Sequence, residues 1–134
     1  MTDFSLKIVT PYGLVYDGNA QELIVRTTSG DLGILAGHIN CVAPLGMGRA
    51  TVIIDGQKRY AACIGGMVSV VGSNVTLVPT TFEWANEIDA DRAEASYQRA
   101  QAILHSKDAS DTDLKLAEAR LRRALVRKSV ANSK

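Results

Sequence analysis

The sequence predicts an α+β chain, an antiparallel β-sandwich or barrel followed by two antiparallel helices, and three observations carry that expectation. Short β-rich runs alternate with turn signals as far as Phe82. After Trp84 the texture changes: alanine, arginine and leucine are prominent, β-branched residues thin out, and neither glycine nor proline occurs again. A length of 134 residues with 46% hydrophobic content buries one sizeable core and leaves an appendage, rather than filling two full domains. The expected division is 1–84 and 85–134.

The β-rich runs are "FSLKIV", "LVY", "ELIVRT", "RATVII", "KRYAACI", "MVSVV" and "NVTLV", separated by the turn signals "PYG", "DGN", "SGD", "DG", "GG" and "GSN". Short strands at this spacing point to sheets closed by tight turns. Asp55-Gly56 is the clearest hairpin mark, because a type I′ turn needs positive φ at both central residues.

Two helices account for the rest, with a break at "SKDASDTD", where Ser110 stands three residues before Asp113 as a capping box. Ala93, Tyr97, Ala100 and Leu104 recur at helical spacing on the first helix, and Leu114, Ala117, Leu121 and Ala124 on the second. These stripes form the expected hairpin seam. Alanine buries little area per contact, so the hairpin is expected to separate or re-dock at modest cost.

Net charge is +1, but the sum hides a gradient. From Leu114 onward the bases are Lys115, Arg120, Arg122, Arg123, Arg127, Lys128 and Lys134, against the single acid Glu118. This end suits an acidic partner. Asp89, Arg92, Ser96 and Arg99 share one face of the first helix, and Arg120, Arg123 and Arg127 form a similar stripe on the second. Two interpretations stand for each feature. Asp89 suits a helix N-cap as well as a ligand contact. The arginines suit a solvated face or, given how few acids accompany them, a polyanion gripped by guanidinium forks.

Several chemistries find no support. Cys41 and Cys63 have no metal-like spacing and are expected as free thiols in a reducing compartment, and the isolated pair His38 and Cys41 makes no metal site. "GMGRAT" lacks the third glycine of a dinucleotide fingerprint, and there is no GxxxxGK[ST], GxSxG or HExxH. No enzyme is expected. The longest apolar-leaning run is interrupted by glycines, serines and an asparagine, and "MTDFSLK" lacks the basic-then-apolar order of a signal peptide, so cytoplasmic residence is the expectation. A nucleic-acid-binding module is a competing class for the basic helix. Aromatics at 5% leave little for base stacking, so no nucleic acid is expected as partner.

The segments "LVYDG", "SGDLGILAGH" with "VAPL" after it, "IGGMVSV" and "IDADRA", followed by the helical hairpin, resemble the epsilon subunits of bacterial F-type ATP synthases over essentially the whole chain. The resemblance implies a flattened N-terminal β-sandwich and a C-terminal two-helix hairpin. It implies a non-catalytic subunit at the base of the rotating central stalk, touching the gamma subunit and the ring of c subunits, peripheral on the cytoplasmic face of the membrane. Asp31 and His38 fall in the segment the family uses against those neighbours, although Ala36 and Asn40 stand where relatives carry prolines.

In members that bind ATP, the "IDxxRA" motif helps to form a pocket between the folded helices and the sandwich. Carried over, Ile88 and Asp89 would lie near adenine, Arg92, Arg99, Arg123 and Arg127 around the triphosphate, Ala93 where room is needed, and Glu83 as a further contact. The "RALVR" pattern selects Arg123 over Arg122. Arg120 and Arg122 remain as positive charge for a protein partner, the acidic segment of the catalytic beta subunit, met when the hairpin extends. ATP would then be a regulatory ligand without turnover, and no cofactor would be required. A purely structural stalk subunit, with "IDADRA" as a mere capped helix, is the remaining alternative within the family.

Overall fold

The computed structural model describes residues 2–133. Ten strands follow in order: β1 (Phe4–Thr10), β2 (Gly13–Ala20), β3 (Glu22–Thr27), β4 (Gly30–Leu35), β5 (Cys41–Pro44), β6 (Met47–Ile54), β7 (Gln57–Ile64), β8 (Met67–Val71), β9 (Asn74–Val78) and β10 (Thr81–Trp84). They form two five-stranded sheets, ordered β2-β1-β9-β8-β5 and β10-β7-β6-β3-β4, so the arrangement is a sandwich and not a barrel. Its ladders are antiparallel except that β1 and β9 run parallel.

Period-two alternation decides which residues meet between the sheets. Phe4, Leu6 and Ile8 of β1, with Val68, Val70, Val75 and Leu77, face Leu23, Val25, Ile34, Ala50, Val52, Ala61, Cys63 and Trp84 across one core. Burial pushes the Cys63 thiol up to about 12, so it packs as a small neutral hydrophobe, as expected of a free thiol.

The β6–β7 hairpin turns at Asp55 and Gly56, with φ of 51° and 76°, the positive pair that a type I′ turn requires. Two other turn signals behave differently. "DGN" lies inside β2, where Asp17, Gly18 and Asn19 pair with Lys7, Leu6 and Ser5, and the Tyr16 hydroxyl donates to the Asn19 carbonyl at 2.6 Å. In "SGD" the bend falls at Thr28 and Ser29, and Asp31 is already in β4 opposite Arg26. Three strands lack the expected β-rich composition: β4, β5 and β10. Each lies at a sheet edge, where glycine, proline and charge are tolerated.

After a 3-10 turn at Ala85–Glu87 come α1 (Ala90–Leu104) and α2 (Asp111–Ala131). Asp89 caps α1, its carboxylate accepting from the Arg92 backbone N–H at 3.1 Å. Ser110 and Asp113 form the reciprocal capping box of α2. That box draws Asp111 to Asp113 into the helix, so the link is shorter than "SKDASDTD". Ala93, Ala100, Ala117 and Ala124 are buried along the seam, with Tyr97, Leu104, Leu114 and Leu121 half-buried beside them.

The hairpin lies on the second sheet, where α2 packs on β6 and β7. Thr51 and Ala62, which alternate with core residues on those strands, are buried beneath it, and Val130 is fully enclosed. Lys128 bridges the helices, its Nζ 2.5 Å from Glu94 Oε2 and 4.1 Å from the centre of the Tyr97 ring. No helix among the described residues is long and apolar enough to cross a membrane. Of the C-terminal bases, Lys134 lies outside the described residues.

Candidate functional site

Sandwich and hairpin meet above β10. Glu83 pairs with Ala62, so its carboxylate leaves the sheet on the helix side. There its Oε1 accepts from Nε of Arg127 at 2.7 Å, in an ion pair whose side chains are 37% and 30% exposed. Between this pair and α1 opens a chamber of about 390 Å³. Glu83, Glu87 and Ile88 border it at the sandwich end, Asp89, Arg92, Ala93, Ser96 and Arg99 along α1, and Arg127 from α2.

A second chamber of about 290 Å³ continues along the hairpin. It shares Ser96, Arg99 and Arg127 with the first and adds Arg120 and Arg123. The three-and-four spacing of Arg92, Ser96 and Arg99 keeps them on one helical face, and the small buried Ala93 lets the two helices approach without closing the space.

Charge is divided between the chambers. The carboxylates of Glu83, Glu87 and Asp89 border only the first, whereas four arginines and no acid border the second. Each carboxylate has a partner: Glu83 holds Arg127, Asp89 caps α1, and Glu87 accepts from the Trp84 backbone N–H at 3.2 Å. Among the described residues Arg92, Arg99, Arg120 and Arg123 take part in no ion pair. Such an arrangement offers hydrogen-bond acceptors at one end and an arginine-lined anion seat at the other.

The structure thus gathers Glu83, Ile88, Asp89, Arg92, Ala93, Arg99 and Arg127 around the first chamber and Arg123 around the second. Arg122 is exposed and borders neither; Arg120, expected as a protein contact, borders the second. Ser96 went unassigned in the sequence although it sits on the arginine stripe, which was the available signal. Glu87 had none, since its position depends on the 3-10 turn. Among the described residues no three His, Cys, Asp or Glu side chains gather as a metal site.

Asp31 and His38 stand apart from the chambers, on and just beyond β4, the sheet edge opposite β10. Asp31 pairs with Arg26 at 3.4 Å on the exposed surface. The His38 ring Nδ1 lies 2.8 Å from the Ile39 carbonyl oxygen. On the other sheet, Val42 of β5 and the cross-strand neighbours Met67 and Val78 expose apolar side chains on the outer face. The run "MVSVV", apolar on both faces, was the sequence signal for it.

Residues 3–85 match the family model described as the ATP synthase delta/epsilon chain β-sandwich domain, and residues 86–132 match that of the ATP synthase delta/epsilon chain long α-helix domain. The chain is 44% identical to the ATP synthase epsilon chain of Bacillus velezensis over 99% of its length and 100% of that relative. It is 42% identical to that of Ruminococcus albus, with 100% of both chains covered. Identity to the Bacillus subtilis epsilon chain is 47% over 86% of each. Among solved structures, a chain of the Euglena gracilis mitochondrial ATP synthase superposes with a TM-score of 0.85 at 21% identity, covering 96% of this chain and 81% of that one, a likeness of fold.

Proposed function

The chain belongs to the ATP synthase delta/epsilon chain family, and from that premise we propose that it is a non-catalytic epsilon-type subunit of the central stalk whose hairpin senses ATP. The observation that carries the sensing role is the two-chamber cleft, acid at one end and arginine-lined at the other, walled jointly by β10, α1 and α2. A cleft with walls from both sandwich and hairpin exists only while the two are docked. A ligand that fills it therefore favours the docked state by its differential affinity.

ATP fits the polarity of the cleft. The amino group of adenine donates toward the carboxylate end, near Ile88 and Asp89, and the phosphates lie among Arg92, Arg99, Arg123 and Arg127. The arginine end holds no carboxylate to act as base on an attacking water, so ATP is a regulator without turnover. When ATP leaves, the hairpin extends along the stalk, its basic second helix meets the acidic segment of a beta subunit, and hydrolysis is obstructed. The sandwich supplies the fixed contacts: the apolar face of Val42, Met67 and Val78 suits the gamma subunit, and Asp31 and His38 suit the c-ring at the cytoplasmic membrane surface.

Calorimetric titration of the full chain with ATP tests the proposal. The expected result is saturable one-to-one binding that Arg92→Gln weakens about tenfold or more, the worth of a charge-assisted hydrogen bond, with ATP recovered intact. Absence of binding, or release of phosphate at a rate set by this chain, would refute it and favour the purely structural subunit.

A further inference from the structure

We propose that Arg120 reads the terminal phosphate of a bound nucleoside triphosphate, so that the cleft separates triphosphate from diphosphate by length; the inference rests on the nucleotide role proposed above. The two helices are antiparallel, so their arginines form an ordered series along the cleft. Arg92 borders the first chamber alone, Arg99 and Arg127 border both, and Arg123 and Arg120 border the second alone. Seven residues separate Arg127 from Arg120 on α2, a rise of roughly 10 Å at ~1.5 Å per residue. An anion that begins beside Arg127 reaches Arg120 only at its far end.

Two features make Arg120 available for that end. Among the described residues it forms no ion pair, although its other side borders a cleft containing Asp108 and Asp113. It is also exposed, so its side chain is free to swing over a phosphate. With Arg123 it completes a seat in which no carboxylate opposes the charge of a terminal phosphate. Repulsion from Glu83, Glu87 and Asp89 at the opposite end sets the direction in which the polyphosphate runs.

The test is calorimetric titration of the full chain and its Arg120→Gln, Arg120→Lys and Arg122→Gln variants with ATP and with ADP. Arg120→Gln is expected to weaken ATP about tenfold while leaving ADP unchanged, Arg120→Lys to recover part of the loss, and Arg122→Gln to change neither ligand. If Arg120→Gln weakens ATP and ADP equally, changes neither, or is matched by Arg122→Gln, the assignment of Arg120 is overturned while wild-type ATP binding still stands. If the wild-type chain binds no ATP, the nucleotide role itself fails and this inference goes with it.

Discussion

Asp89 holds two positions at once, as the N-cap of α1 and as a wall of the acid end of the cleft. Substitution separates them, because asparagine caps a helix as well as aspartate does, whereas alanine costs about 1 kcal/mol. Asp89→Asn is expected to leave the melting temperature in place and to weaken ATP binding in titration. Unchanged affinity would reduce Asp89 to its cap. The spacing of "IDADRA" marked the cap, and the family resemblance implied the ligand contact, which needs the same residue in the same place. Arg123 and Arg122 present the reverse case: adjacent in sequence, they point about 100° apart on a helix; the "RALVR" pattern selects Arg123, and the docking of α2 turns that side toward the cleft.

At the scale of elements, α1 and α2 are joined by small residues and by one charged staple. Hydrogen bonds from Lys128 and Gln98 hold the Glu94 carboxyl below its ordinary value. A lowered carboxylate value stabilises the folded form above the unfolded pKa of about 4.3, and that contribution is lost as pH falls through the folded value. Acid titration of the far-ultraviolet helix signal is therefore expected to show loosening below about pH 4 that Glu94→Gln removes; an identical acid limb in the variant would contradict the staple. On the sandwich, Gly66 at φ +95° sits where a Cβ would collide with the Val78 carbonyl oxygen. Gly66→Ala is expected to cost about 2 kcal/mol or more by thermal unfolding. The interior strands were legible because alternation shows wherever one face is buried, as in "FSLKIV" and "NVTLV". The edge strands "GDLGIL", "CVAP" and "TFEW" were not, because at a sheet edge glycine, proline and charge are tolerated and the composition is less β-rich. The helices and both caps followed from spacing and capping chemistry, whereas the cleft arises only where α2 returns to β10, a contact between residues 44 apart in the chain for Glu83 and Arg127.

For the whole molecule, among the described residues the docked arm rests on one ion pair to Glu83, a hydrogen bond from Arg49 to Ser133 at 3.3 Å, and the burial of Val130 and small neighbours on β6 and β7. The proposed switch requires docked and released arms close in free energy, and contacts this few suit that requirement. A ligand at 100 times its dissociation constant adds about 2.7 kcal/mol to the state it binds, sufficient to reverse a balanced equilibrium. Spin labels at Lys58→Cys on β7 and Ser129→Cys near the end of α2, in a Cys41→Ser background, report this distance most directly. With saturating ATP the account predicts one short, narrow distance; without ATP it predicts an added long component. An identical distribution in both conditions would contradict the claim that ATP holds the arm against the sandwich.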